Sequence, residues 1–141
     1  IQDLNLQEFV HLDLKYHDDN DISCYLSEMD LVIYPYQSSN ESSSASVRQG
    51  IASGSEVIVT PISIFEDVSH VVNVLPGISS KDMASGIEDW INKYNKNKLS
   101  FTKSKSLISL DKWRTKHRFS NLSKRLSSII TAIEVDNQFN N

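Results

Sequence analysis

Asp30-Leu-Val-Ile-Tyr-Pro-Tyr-Gln-Ser-Ser-Asn-Glu41-Ser-Ser-Ser-Ala-Ser-Val-Arg-Gln49-Gly-Ile-Ala-Ser-Gly54-Ser-Glu-Val-Ile-Val-Thr-Pro61 reads as a strand, a polar loop, a helix opening and a second strand. In an open parallel sheet, ligands sit where strand carboxyl ends meet helix amino ends, because the unpaired amides and the helix dipole there attract anions. Glu41 and the three serines after it fall at that junction.

Outward from this unit the pattern continues to alternate. Residues 9–14 read as a strand. Ile22, Tyr25, Leu26 and Met29 then fall at i, i+3, i+4 and i+7, the stripe of an amphipathic helix capped by Asp19 or Asn20. Residues 31–34 form a buried strand, and residues 42–53 a helix with Ala45, Ile51 and Ala52 inward, ended by Gly54 in the left-handed conformation. Residues 57–59 and, more weakly, 71–75 are further strands. Ser79 or Ser80 caps a helix carrying Met83, Ile87, Ile91 and Tyr94 on one side. Residues 92–105, rich in Asn and Lys, read as a linker. Leu122, Leu126, Ile129, Ile130 and Ile133 make a long apolar helical stripe near the end, trailing into a polar terminus. Strands alternating with helices define an α/β chain, a Rossmann-like parallel sheet with helices on both faces. The expected organisation is a partial Rossmann-like domain over 1–98 and a basic helical segment over 99–141.

Composition narrows the class. A chain of 141 residues with 39% hydrophobic content can bury one ordinary core. Its longest apolar runs are far shorter than the roughly 20 residues of a membrane-spanning helix. Cys24 is the only cysteine, so no internal disulfide is available, and a reducing, cytoplasmic setting is expected. No secretory leader is visible and the chain opens on Ile, which points to a piece of a longer protein. Charge is uneven. Acidic residues crowd the first thirty positions, whereas Lys103, Lys105, Lys112, Arg114, Lys116, Arg118, Lys124 and Arg125 crowd the end. The basic tail is read as a solvated face, with contact to an anionic membrane face as the functional alternative. The net charge of −4 argues against general nucleic-acid binding.

The order of these pieces resembles the donor-site half of glycosyltransferase family 4. The residues that carry the likeness are the hydrophobic strand before Pro35-Tyr36, then Glu41 and Gln49 eight positions apart, Ala52-Ser53-Gly54, and Val57-Ile58-Val59-Thr60. Further along are Ile64-Phe65-Glu66-Asp67-Val68, Leu75-Pro76-Gly77 before a helix, and Trp113 with His117. The resemblance implies a GT-B architecture, of which this chain would be most of the second, nucleotide-sugar-binding domain. A missing N-terminal domain would face it across a cleft, and the chain alone would be inactive. The activity implied is a hexosyltransferase that retains the anomeric configuration and builds a polysaccharide or other glycoconjugate. No metal or other cofactor is expected. Its partners would be a nucleotide-sugar donor, a saccharide or lipid-linked acceptor and the N-terminal domain, with peripheral contact at the inner membrane face through the basic tail. Carried over by position, Glu41 would bond hydroxyls of the donor sugar and Gln49 would reach the ribose. Gln49 stands where the family has a second Glu, and Ser42-Ser43-Ser44 stand where it has Gly-Phe-Gly.

The residues also speak without the family. Amides and hydroxyls of Ser42, Ser43 and Ser44 at a helix start suit a diphosphate, and Arg48 would either reach the phosphates or form a surface salt bridge. On the expected helix, Glu41 and Gln49 would share a face. The plainer alternative is a solvated loop followed by a capped helix. Asp19-Asn20-Asp21 matches a divalent-metal pattern, yet before a helix it reads better as a cap and dipole partner. His11, His17, His70 and His117 lack zinc spacing. Cys24 reads as core packing, and His70 as either a loop residue or a site residue at the cleft edge. Two other readings stand beside the enzyme: a non-catalytic nucleotide-sugar-binding or scaffold domain, and a receiver-like signalling domain. The latter is disfavoured because Asp30 precedes its strand instead of ending one.

Overall fold

The computed structural model describes residues 1–100 and 105–139. Three strands, β1 (Leu31–Tyr34), β2 (Glu56–Val59) and β3 (Asn73–Val74), form a parallel sheet in the order β1-β2-β3. Leu31 pairs with Glu56 and Tyr34 with Val59, while Ile58 and Val59 pair with Asn73 and Val74. The helices are α1 (Asp19–Ser27), α2 (Ala45–Ser53), α3 (Ser80–Ser100), α4 (Lys105–Lys116) and α5 (Phe119–Phe139). A 3-10 helix spans Ser63–Val68. The chain is therefore a mixed α/β fold around a small open parallel sheet, compatible with the Rossmann-like class.

β2 is the central strand, and its run Val57-Ile58-Val59 is fully buried, the continuous apolar pattern of a parallel strand covered on both faces. Val57 and Val59 point into a core with Val47 and Ile51 of α2, Ile64, Phe65 and Val68 of the 3-10 helix, Val71, and Leu110 of α4. Ile58, one position out of phase, is buried on the other side. β1, at the sheet edge, is half-buried along its whole length, less enclosed than its apolar sequence suggests.

Several element boundaries move from expectation. α1 is capped by Asp18, whose carboxylate accepts from the amides of Asn20 and Asp21 at 2.9 Å. Asp19 and Asp21 sit in the first turn, where they complement the dipole. Residues 9–14 form no strand. Phe9 and Leu14 are more than 80% exposed, and Asp13 is committed locally, accepting from the Lys15 amide and bonding His17, both at 2.9 Å. Those bonds, the Lys15 amide first, hold the Asp13 carboxyl below its ordinary range. Such local bonds offer the backbone an alternative to a ladder. The stretch expected as a linker from residue 92 is helical as far as Ser100, and residues 101–104 lie outside the described chain. Cys24 is exposed on α1 and takes no part in the core.

α2 starts at Ala45, not residue 42, and turns Val47, Gly50 and Ile51 inward, leaving Ala45 and Ala52 on its outer flank. Gly50 is required there. A Cβ at this position would lie 2.6 Å from the Tyr34 hydroxyl, which itself donates to the Ser46 carbonyl at 2.6 Å. Burial of this phenol raises its pKa above the ordinary tyrosine value. At the far end Gly54, with φ of 96°, closes α2 as expected.

Polar side chains fasten the remaining elements. Thr60, fully buried, donates to the Tyr36 carbonyl at 2.5 Å and so ties the exits of β1 and β2. Glu56 accepts from Asn73 at 3.1 Å and from the Trp90 indole at 2.8 Å, joining β2 to β3 and α3. Ser79 caps α3 by accepting from the Asp82 amide at 3.2 Å while donating to its carboxylate at 2.6 Å. The stripe expected near the end forms on α5 but faces outward, with Leu126, Ile129 and Ile133 each more than half exposed.

Gly50→Ala should lower the unfolding free energy by about 1 kcal/mol, because overpacking (about 1–3 kcal/mol) outweighs the helix-propensity gain (about 1 kcal/mol). Combined with Tyr34→Phe, which removes the closest atom, the loss should be smaller than the sum of the single losses. Urea unfolding of all four forms checks this, and additivity within about 0.5 kcal/mol would contradict the contact.

Candidate functional site

The carboxyl ends of β1 and β2 open onto the loop between Tyr34 and α2. Beneath this loop lies a network of hydroxyls: Tyr36 meets Ser46 at 3.0 Å, Ser46 meets Ser44 at 3.0 Å, and Ser44 accepts from the Val47 amide at 3.3 Å. Ser44 is only 2% exposed. Its side chain is the N-cap of α2 and faces inward, while Ser42 and Ser43 are exposed on the loop. The amides at the head of the helix are thus those of Ala45 and Ser46, with no intrahelical partner available to them. Helix amides were expected at residues 42–44. The shift follows from Ser44 taking the extended backbone of a cap, with φ of −102° and ψ of 121°.

Glu41 lies three residues ahead of that cap, exposed, its amide donating to Ser39 at 3.1 Å. Its carboxylate makes no hydrogen bond or ion pair among the described residues. Glu41 and Gln49 do not share a helix, so the two-turn spacing argument does not hold. Gln49 instead donates to the Asp19 carboxylate of α1 at 3.2 Å. Arg48 donates to the Ser44 carbonyl at 2.7 Å and forms an ion pair with Asp67, the salt-bridge alternative of the two weighed for it. The fold therefore gathers Glu41, Ser42 and Ser43 at the head of α2 and sends Arg48 and Gln49 along its flank.

That flank forms one wall of a cleft of about 1350 Å³. Ala45, Arg48, Gln49 and Ala52 contribute from α2, and Asp67, His70 and Val71 from the end of the 3-10 helix and the turn after it. The opposite wall is the C-terminal part of α4 and the start of α5, including Trp113, Arg114, Lys116, His117 and Arg118. Leu110 and Trp113 anchor this wall to the core. The Trp113 and His117 rings stack at 4.1 Å with an interplanar angle of 22°, and the imidazole Nδ1 lies 2.8 Å from the Trp113 carbonyl. His70 lines the same cleft, where a site role was one of its two readings. The basic cluster was visible in sequence, but its docking beside α2 was not, since that depends on Leu110 reaching the core.

Among the described residues, no group of three or more His, Cys, Asp or Glu side chains is arranged to hold a metal ion, and no helix is long and apolar enough to cross a membrane. No family model, curated protein or solved structure matches the chain.

Ser44→Ala should cost about 1–2 kcal/mol, the value of an N-cap, whereas Ser42→Ala and Ser43→Ala should each stay within about 0.5 kcal/mol. Chemical denaturation of the three variants reads the difference. Equal losses would contradict the division between an inward cap and outward loop serines.

Proposed function

We propose that the chain is the donor-binding portion of a retaining glycosyltransferase, and that the head of α2 receives the diphosphate of a nucleotide sugar. The observation that carries this reading is the parallel β1-loop-α2-β2 unit, whose loop presents Glu41, Ser42 and Ser43 to solvent immediately before the two open amides of Ala45 and Ser46. A helix head of this kind attracts phosphate through its amides and its dipole. Glu41, an exposed carboxylate with no partner among the described residues, can accept from the hydroxyls of a sugar attached to that diphosphate. The resemblance to glycosyltransferase family 4 adds the reaction: transfer with retention, without a metal, to a saccharide or lipid-linked acceptor supplied from an N-terminal partner domain. The outward apolar stripe of α5 suits packing against such a domain. Cytoplasmic placement, with contact at the inner membrane face through the basic end, belongs to the same reading.

The roles divide by chemistry. Ser42 and Ser43 supply hydroxyl donors at the loop, Ser44 holds the helix start in place, and Glu41 distinguishes a sugar nucleotide from a bare nucleotide. In the retaining reaction usually argued for this family, the leaving phosphate assists the acceptor, so the protein positions the donor and no carboxylate nucleophile is assigned. Gln49, bonded to Asp19, would have to release that bond to reach a ribose. This observation favours the second reading, a nucleotide-sugar-binding domain without turnover.

Thermal shift and calorimetry with UDP-, GDP-, ADP- and dTDP-sugars, each against its bare nucleotide, test the proposal. One sugar nucleotide should stabilise the protein more than its bare nucleotide does, by mass action, and Glu41→Ala should abolish that increment. The absence of any increment would overturn the donor reading. An increment without transfer by the chain joined to its partner domain would favour the non-catalytic one.

A further inference from the structure

The cleft between α2 and α4 carries charge opposite to that of the chain as a whole. Five of its lining side chains are cationic (Arg48, Lys112, Arg114, Lys116 and Arg118) against the carboxylates of Asp67 and Asp111, while the chain bears a net charge of −4. The two carboxylates are engaged with the same two arginines: Arg48 pairs with Asp67, and Arg114 lies 3.6 Å from Asp111. Lys112, Lys116 and Arg118 have no carboxylate partner among the described residues, and all three are exposed. Like charges gathered in a concave site focus a positive potential and raise the local concentration of anions. Their crowding is otherwise unfavourable, and a bound anion would relieve it.

Beside these cations stands a flat aromatic surface. Trp113 packs against the core and stacks with the His117 ring, which is exposed and lines the cleft. Bases stack on such surfaces with little regard to identity. The volume of about 1350 Å³ exceeds what a nucleotide needs.

We propose that this cleft is a second ligand site, one that binds a small phosphorylated ligand of the nucleotide class. Lys112, Lys116 and Arg118 take the phosphates, and the Trp113–His117 stack takes the ring. The site differs from the donor reading in where the phosphates sit. Glu41, Ser42 and Ser43 are not among its lining residues, and the three cations assigned to the phosphates come from α4 and the turn into α5, although Arg48 and Gln49 of α2 also line the cleft.

Calorimetry of the chain with pyrophosphate and with ADP tests this, at two salt concentrations. Both should bind saturably, more weakly at higher salt, and ADP more tightly than pyrophosphate. Lys116→Gln with Arg118→Gln should weaken both by at least about tenfold, and Lys112→Glu should weaken both independently. His117→Ala, which exchanges the imidazole for the bared Trp113 face, should change the advantage of ADP while sparing pyrophosphate. In a Trp90→Phe background, ADP should alter the fluorescence of the remaining Trp113. Unchanged melting of the unliganded variants guards against misfolding as the cause of any loss. Absence of saturable binding, or binding that survives the cation variants, would overturn the site. Equal affinity for ADP and pyrophosphate would discard the stacking surface.

Discussion

The close approach of α2 to β1 is the constraint from which the other features follow. Because position 50 has no side chain, the tip of the Tyr34 ring packs closely on the helix and its hydroxyl donates to the Ser46 carbonyl. That contact fixes the rotation of α2, so Val47 and Ile51 face β2 and the core. The same rotation places the Ser46 hydroxyl between Ser44 and Tyr36, which settles where the helix begins. It also turns Ala45, Arg48, Gln49 and Ala52 outward as a wall of the cleft. The missing methyl group at position 50 thus lets one close contact serve the core, the head of the helix and its outer flank together.

The parallel sheet and its helices were legible because their signals are periodic or punctual: the apolar runs of β1 and β2, the stripe of α1, and Gly54 at the end of α2. Two kinds of feature were not. Residues 9–14 have strand composition, but a strand exists only with a ladder partner, and Asp13 instead satisfies nearby groups of its own segment. The inward face of α2 differs from expectation because Ala45 and Ala52 are apolar by composition, whereas Val47, Gly50 and Ile51 at i, i+3 and i+4 carry the true stripe. The last serine of the run, Ser44, looked like a ligand contact and is the cap, a distinction set by a backbone angle that composition does not encode.

The site was partly legible for the same reason. That a polar loop with Glu41 leads into a helix at strand carboxyl ends follows from element order alone. That Gln49 bonds Asp19 and Arg48 bonds Asp67 does not, because both partners come from other elements. The convergence of the basic cluster on the flank of α2 likewise depends on Leu110, which is buried in the core with Trp113 packed beside it. Local sequence thus reports what each element can offer, and tertiary packing decides which offers meet.

Amide hydrogen exchange, residue by residue, with and without the nucleotide sugar that stabilises the protein most, tests directly whether the head of α2 is the anion-receiving end. Slowed exchange at Ala45 and Ser46, with the interior amides of α2 unchanged, is the predicted result. Unaltered exchange at those two amides in the presence of bound ligand would contradict it.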